Sequence, residues 1–565
     1  MVKQEYERWL QHPNVDPLDK EILKNMDEAT KKDSFYQTLV FGTAGMRGVL
    51  GPGTNRMNVY MLRKANMGFI QYVLQAGEDA KQRGIAIGYD NRHMSYEFAM
   101  DSAKLFATYG IRTYVFDALR PTPQLSFAVR YYHCFGGIMI TASHNPKEYN
   151  GYKLYDEQGC QLIPELAQKV VSYVEAVEDE LAIQVQPTKE QLELITIIGK
   201  EVDEAYYKEV LAMQFYPEVD KTKLKIIFSP EHGTGNVPIQ ELFQRAGYHV
   251  IPVQEQCNPD PDFTYTASAN PEEGEAYVLG IEYAKKENAD LVLVCDPDAD
   301  RMGVAVKHQE DYVLLTGNQC GAILMEYIFS QMMKKEQLKE KSIMLNTIVT
   351  SDLGEKVAQK YGVICEKTLT GFKFIGDKIE TYEKRGDYQY VFGYEESYGY
   401  LLKSFVRDKD APQACLMLAE AANYYKQQGK DLIDVLYELY ETLGYYVDTT
   451  ISVTFAGQEG AEKMNTLLQT LRDHPLQEIA GMRVVCIEDY HKRKRLEVGK
   501  EVEIVEIPKA NVLKYYLDDG SWIAIRPSGT EPKCKFYYCV RGKSEEEAQE
   551  KANHLQKSMA QYLNV

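Results

Sequence analysis

The sequence predicts an α/β protein built from several domains, and three observations carry that prediction. A chain of 565 residues is too long for one hydrophobic core; at about 100–200 residues per domain it divides into roughly three to five. Short apolar runs bounded by glycine or charge, such as Ile138-Met139-Ile140 and Leu291 to Val294, alternate with longer stretches of helical character. The best-marked of these runs break abruptly into loops of hydroxyls, carboxylates and glycine, where open α/β sheets place ligand chemistry.

In chain order, Glu5 to about Lys32 reads as helical, with Leu18, Ile22 and Leu23 among charges. A polar loop follows, Phe41-Gly42-Thr43-Ala44-Gly45-Met46-Arg47-Gly48. Its glycines let backbone amides approach an anion beside the Arg47 fork, although no GxxxxGK[ST] pattern is present and the signal alone is weak. A helix over Tyr60 to Ala76, a strand over Gly84 to Asp90, another helix and a strand over Thr113 to Phe116 lead to Gly136–Ile140. This alternation implies a mainly parallel or mixed sheet. At its end Thr141-Ala142-Ser143-His144-Asn145-Pro146 offers a serine as candidate nucleophile, yet on these residues alone an Asx/ST turn leaving a strand is the better account.

A charged helical region, Pro164 to Glu180 and then Lys189 to Leu211, bridges to a second unit. There the strand Leu224 to Phe228 ends in Ser229-Pro230-Glu231-His232-Gly233-Thr234-Gly235, and Leu291 to Val294 ends in Cys295-Asp296-Pro297-Asp298-Ala299-Asp300-Arg301. Carboxylates at alternate positions of a loop leaving a strand converge on one hard cation, Mg²⁺ or Ca²⁺. An EF-hand is excluded, because Arg301 and Lys307 stand where its glycine and terminal glutamate belong. Three such carboxylates repel one another without a cation, so a metal loop explains them better than an acidic turn.

A third unit runs from about Leu314, with a helix over Gly321 to Lys334, a strand over Ser342 to Asn346, a helix after Ser351, the loop Thr370-Gly371-Phe372-Lys373 and the strand Tyr390 to Phe392. That strand enters Gly393-Tyr394-Glu395-Glu396-Ser397-Tyr398-Gly399, suited to sugar hydroxyls or simply a charged turn. Arg407-Asp408-Lys409-Asp410 reads alone as the solvated first turn of a helix. In the last unit, from about Thr449, His491 to Arg495 is a basic run without aromatic interleaving and so a solvated face. Trp522 to Ile525 turns at Arg526-Pro527-Ser528-Gly529-Thr530-Glu531-Pro532-Lys533. A guanidinium, two hydroxyls and exposed amides between two strands suit a phosphate. Ser544 and Glu547 have the spacing of a capping box for a final helix.

Composition excludes other classes. The 64 basic and 83 acidic residues give a net charge of −19, opposite to what a general nucleic-acid or anionic-membrane surface needs. The opening MVKQEYERWL has no basic segment followed by an apolar one, and no stretch approaches about 18 apolar residues. A soluble, cytoplasmic protein is expected. Ten cysteines without CxxC pairs read as buried thiols of a reducing compartment rather than a disulfide framework or zinc site.

Together and in this order, the loops resemble those of the α-D-phosphohexomutase family along essentially the whole chain. TASHNP resembles its phosphoserine signature, DPDADR its Mg²⁺ loop, GYEES its sugar loop, RPSGTEP its phosphate loop and FGTAGMRG its N-terminal active-site loop. The resemblance implies three similar α/β domains with mixed sheets and a C-terminal α+β domain around a central cleft. The expected boundaries are 1–205, 206–318, 319–447 and 448–565. It also implies a phosphosugar mutase passing phosphate through Ser143 and a sugar bisphosphate, glucose 1,6-bisphosphate. Mg²⁺ would be held by Asp296, Asp298, Asp300 and a phosphoserine oxygen at Ser143. Lys153 in NGYK would be the general base and acid, with His144 an alternative or support and Arg47 assisting. Thr43, Arg301, Thr370, Glu395, Ser397, Lys409, Arg526, Ser528, Gly529 and Thr530 would contact substrate. Tyr398-Gly399-Tyr400 follows Ser397 where some members have a histidine, which leaves the second acid/base role open. The EES form of the sugar loop and the chain length look closer to the family's glucose- and pentose-phosphate members than to its glucosamine-phosphate type; the expected reaction interconverts glucose 1-phosphate and glucose 6-phosphate, with the pentose or mannose phosphates as alternatives. A non-catalytic phosphosugar binder and a phosphatase are the readings from other classes. The expected partner is a small phosphosugar, with no nucleic acid or membrane, as monomer or dimer.

Overall fold

The computed structural model describes every residue except Met1, Thr43, Ala44, Ala456, Val498, Gly499, Val505, Ser528 to Pro532, Asn564 and Val565. The chain divides into two units, Met1–Leu315 with Phe372–Gly429, and Thr316–Gly371 with Lys430–Val565.

The first unit opens with three helices, Val2–Gln11, Pro17–Asn25 and Glu28–Phe35, where the sequence reading had one helical stretch. Asp16 starts the second by capping Leu18 N–H ahead of Pro17, and Asp27 caps Thr30 N–H to start the third. Both caps satisfy orphan amides that an uninterrupted helix would not have. A six-stranded mixed sheet follows: β1 Met46–Val49, β2 Ile85–Tyr89, β3 Thr113–Phe116, β4 Gly136–Ile140, β5 Tyr149–Tyr155 and β6 Ile195–Ile198, in the order β1-β5-β4-β2-β3-β6. β2, β3, β4 and β6 are parallel, and β5 turns back antiparallel between β4 and β1. The edge strand β6 corrects the helical reading of Lys189 to Leu211. Its Ile197 is 56% exposed, so the apolar signal is divided between two faces among charged neighbours.

The second sheet has the order β11-β10-β9-β7-β8, with β7 Lys225–Ser229, β8 His249–Pro252, β9 Leu291–Cys295, β10 Met302–His308 and β11 Asp311–Leu314. β7 and β9 are parallel neighbours, so their C-terminal loops leave the same sheet edge side by side. Phe372–Gly429 adds the antiparallel hairpin Gln389–Glu395 and Gly399–Leu401 and the helix Ala411–Lys426. Asp410 caps that helix through Gln413 N–H, with Pro412 in its first turn.

The second unit holds the helix Gly317–Lys334, the parallel strands Ser342–Thr347 and Ile364–Thr368, and a largely antiparallel C-terminal sheet ending in the helix Glu545–Leu563. Its core includes Leu468, Tyr515, Ile523, Phe536 and Leu555. At the last helix, Ser544 Oγ accepts Glu547 N–H, but the Glu547 carboxylate accepts Lys543 N–H; the reciprocal bond of a capping box is shifted by one residue. Eight cysteines are buried, and Cys257 and Cys365 are half-buried; all ten are free thiols. Among the described residues no helix is long and apolar enough to cross a membrane.

Candidate active site

β4 brings Ser143 to the site. Ile138, Met139 and Ile140 are completely buried, worth about 1.5–3 kcal/mol per side chain, and this fixes the strand end from which the loop departs. Ser143 takes a left-handed φ of 51°, and its N–H donates to Thr141 Oγ1 at 2.8 Å. The turn predicted from the residues is therefore present, and it serves to aim the side chain.

What holds the loop is Arg92, which the sequence reading passed over. Its guanidinium donates to the Ser143 carbonyl at 2.6 Å, to the Pro146 and Tyr149 carbonyls at 2.8 and 3.0 Å, and to the Asn145 carbonyl. One buried cation thus satisfies four carbonyls that a loop buried against a sheet would leave unpaired. Asp90 lies 3.4 Å from Arg92 Nε, and its Oδ1 accepts Arg92 N–H and Ser95 Oγ–H. The available signal was Asp-x-Arg at the end of β2, the strand next to β4.

Across the loop, Ser143 Oγ donates to Asp296 Oδ2 at 2.7 Å, and His144 Nδ1 lies 3.3 Å from the same Oγ. Asp296, Asp298 and Asp300 are at most 2% exposed. Each offers a carboxylate oxygen within 4.8 Å of the other two. Ala299 at φ 48° folds the loop, with its N–H on the Asp296 carbonyl and Arg301 N–H on Asp296 Oδ1. Asp298 Oδ1 and Asp300 Oδ1 are buried with no hydrogen-bond partner. An all-oxygen donor set with unsatisfied buried lone pairs fits a hard divalent cation.

The charges are distributed unevenly over the three acids. Burial, then repulsion from Asp298 and Asp300, holds Asp296 well above the usual carboxylate range. Burial also opposes ionisation of Asp298, but the Lys153 ammonium overcomes it and holds that acid low. Lys153 Nζ is 2.8 Å from Asp298 Oδ2 and 3.7 Å from Asp300 Oδ2. Lys409 Nζ is 3.0 Å from Asp300 Oδ2. Burial would lower Lys153, yet these carboxylates raise it, so its proton is strongly held. Arg301 pairs with Glu272 at 2.8 Å.

The Glu395-Glu396-Ser397 loop joins this cluster through the backbone. Met302 N–H donates to the Tyr398 carbonyl at 3.0 Å, and Arg301 bridges Gly399. A Cβ on Gly399 would come within 2.1 Å of Lys409 Cδ, so glycine is required for the lysine to pass. Glu395 is buried and Ser397 half-buried; Glu395 is among the carboxylates that raise Lys409 after burial lowers it. Arg47, exposed on β1, donates to Asn145 Oδ1 at 2.7 Å, two residues beyond Ser143. The structure thus gathers Ser143, His144, Arg47, Lys153, the three aspartates, Arg301, Lys409 and the Glu395 loop in the first unit. Thr370 lies in the second unit after the strand Ile364–Thr368, and Arg526 lies there too, donating to Tyr537 Oη at 3.3 Å. Thr43, Ser528, Gly529 and Thr530 lie outside the described residues.

Four domain families match in order: the alpha/beta/alpha domains I, II and III of phosphoglucomutase/phosphomannomutase at residues 38–180, 204–309 and 316–443, and its C-terminal domain at 483–556. The chain belongs to the phosphoglucomutase/phosphomannomutase family. It is 37% identical to a phosphoglucomutase of Staphylococcus aureus over 553 residues, 97% of this chain and 98% of the relative. In fold it is similar to a phosphoglucomutase/phosphomannomutase family protein of Burkholderia thailandensis, with TM-score 0.67 and 17% identity, covering 93% of this chain and 98% of the other. It is likewise similar to parafusin, a phosphoglucomutase of Paramecium, in an open form, with TM-score 0.67 and 17% identity, covering 94% and 96%.

Proposed function

We propose that this family member interconverts glucose 1-phosphate and glucose 6-phosphate, passing a phosphoryl group through Ser143 with glucose 1,6-bisphosphate as intermediate. The observation that carries the reading is the 2.7 Å hydrogen bond from Ser143 Oγ into the buried three-aspartate loop, in a chain 37% identical along nearly its whole length to a phosphoglucomutase. A binder or a simple phosphate-recognition module has no need of a hydroxyl aimed at buried carboxylates.

Asp296, Asp298 and Asp300, with an oxygen of phosphorylated Ser143, would hold Mg²⁺. When bound, that ion supplies charge neutralisation for a loose, metaphosphate-like transition state. The remaining work belongs to the side chains. Arg47, anchored on Asn145, presents its guanidinium beside the serine loop to accompany the phosphoryl group. The sugar hydroxyl must lose a proton as it is phosphorylated, and Ser143 Oγ must gain one as it departs. His144, whose Nδ1 is 3.3 Å from Oγ, would serve the second transfer. Lys153 would serve the first only after giving up the proton that its aspartate partners favour, and would return it as acid in the reverse direction.

Glu395 and Ser397 would bind sugar hydroxyls, with Arg301 and Lys409 beside them. Substrate contact by Thr43, Thr370, Arg526, Ser528, Gly529 and Thr530 rests on the resemblance of their loops. The substrate partner is a small phosphosugar, and ten free thiols suit the reducing environment of a cytoplasm.

A coupled assay primed with a trace of bisphosphate should give the fastest turnover on glucose 1-phosphate; faster turnover on ribose 1-phosphate or mannose 1-phosphate would overturn the substrate assignment. Intact-protein mass should show one phosphate increment after incubation with bisphosphate, absent in Ser143→Ala together with activity. Full turnover by that variant would refute the mechanism.

A further inference from the structure

We infer that Thr122 and Thr234 are positioning residues that hold the Asp296–Asp300 loop in its cation-binding shape. The inference rests on reading that loop as a metal site. Two successive carbonyls of the loop are each fixed by one threonine, and the two threonines follow strands of different sheets, β3 and β7. Thr234 donates both its N–H, at 2.7 Å, and its Oγ1–H, at 2.9 Å, to the Pro297 carbonyl. Thr122 donates its N–H to the Asp298 carbonyl at 2.9 Å and its Oγ1–H to Asp298 Oδ2 at 2.9 Å. Both threonines are at most 1% exposed.

Each is itself rigidly supported. Thr122 opens the helix Thr122–Tyr131 behind Pro121, with Pro123 in its first turn. Thr234 follows a turn in which Glu231 and His232 both take left-handed φ, 48° and 60°, a conformation that persists only where the surroundings over-determine it. Those surroundings are visible. Glu231 accepts from Ser229 Oγ and Thr266 Oγ1. His232 Nδ1 lies 2.8 Å from the Asn258 carbonyl and its Nε2 accepts Tyr265 N–H, which places the ring proton on Nδ1. Gly233 lets the turn close on the loop, since a Cβ there would lie 2.4 Å from Pro297 Cα.

The consequence is specific to ligand orientation. Of the Asp298 carboxylate, Oδ2 is committed to Lys153 and Thr122 while Oδ1 has no partner. Thr122 therefore commits one oxygen of the carboxylate and leaves Oδ1 to a cation, and Thr234 fixes the carbonyl of Pro297, the residue between Asp296 and Asp298. Outer groups that orient metal ligands typically carry about 10–100-fold in metal affinity.

The test uses dephosphorylated full-length protein and Mn²⁺ alone, with free Mn²⁺ followed by its electron paramagnetic resonance signal. Thr122→Val and Thr234→Val, which keep shape and lose the hydroxyl, should each weaken Mn²⁺ binding by about 10-fold or more, and Thr122→Ser and Thr234→Ser should restore it. In turnover the valine variants should need more Mg²⁺ for half-maximal rate while recovering kcat at saturating Mg²⁺. Wild-type protein that binds no Mn²⁺ would overturn the metal reading itself. Wild-type protein that binds while the valine variants bind equally well would overturn only the positioning role. So would serine variants as weak as the valine ones, since that pattern reports packing of the methyl group.

Discussion

Two buried lysines, one in each unit, have had their protons treated in opposite ways. Lys153 in the first unit is 9% exposed and Lys514 in the second is fully buried, so desolvation disfavours the charge on both. Lys153 faces Asp298 and Asp300 and is raised in spite of burial. Lys514 donates to the Ile348 carbonyl at 2.8 Å and lies 3.7 Å from the Trp522 ring centroid and 4.8 Å from that of Tyr516. A carbonyl and two aromatic faces do not replace a carboxylate partner. Burial, aided by the Lys367 charge and opposed by Asp352, Glu488 and Cys539, pushes Lys514 down to about 7. The difference teaches that burial selects nothing by itself; the number of carboxylates within reach decides whether a buried amine is a stored cation or a neutral filler.

The comparison breaks most visibly at Lys153. Lys153→Met should cut kcat by about 10²–10⁴-fold, the usual range for a lost proton carrier. It also leaves three buried carboxylates short of one cation, so the apo protein should unfold at lower temperature, and added Mg²⁺ should recover more of that loss than it gives wild type. Scanning calorimetry with and without Mg²⁺ reads this directly; an unchanged apo melting temperature would mean Lys153 is not compensating the triad. A smaller effect is expected at Arg92, a buried cation satisfied chiefly by carbonyls. Arg92→Lys cannot serve four carbonyls at once, and should lower the rate of Ser143 phosphorylation by about 10-fold while leaving Mn²⁺ affinity near wild type. Equal loss of both would show that Arg92 supports the metal loop as well.

Much of the site was legible because its chemistry is local in the chain. Ser143, the alternating aspartates and Glu395 each follow an apolar run, and a strand that stops at a carboxylate or hydroxyl announces itself. Arg92 was illegible for the opposite reason. A single arginine in a turn has no periodicity, and its role arises only when residues 143 to 149 bring their carbonyls to it. Thr122 and Thr234 were hidden in the same way, since the bonds they make reach residues more than 60 positions away in sequence. In the fold, β6 was lost because a half-exposed edge strand shares its apolar residues between faces. The break at Asp16-Pro17 was readable, as an N-cap followed by proline, but was subsumed in a longer run of helix-forming residues.

The finest distinction between the two lysines is in the pH dependence of stability. If Lys514 holds its proton with a folded value near 7 and an ordinary unfolded value near 10.4, then between those limits the unfolded chain binds a proton that the folded chain lacks. Stability must then rise with pH across that window, and the penalty of burying the charge is fully present below it. Buried thiols and phenols raised above their ordinary values, such as Cys539 and Tyr515, reverse the slope once their unfolded forms ionise. Asp448, held up to about 7 by burial, opposes the rise near pH 7 but does so equally in both proteins, so the difference between them is read over about pH 7 to 8.5. Lys514→Met should remove a rise of about 1–2 kcal/mol over that interval. The lost bond to Ile348 shifts stability by the same amount at each pH and leaves the slope untouched. The chain has two tryptophans, Trp9 and Trp522; in a Trp9→Phe background the indole at Trp522, with the Lys514 ammonium over its ring, reports urea unfolding around Lys514. Equal slopes for Lys514 and Lys514→Met would show that Lys514 stays charged, and that aromatic faces and one carbonyl hold an ammonium as well as two aspartates do.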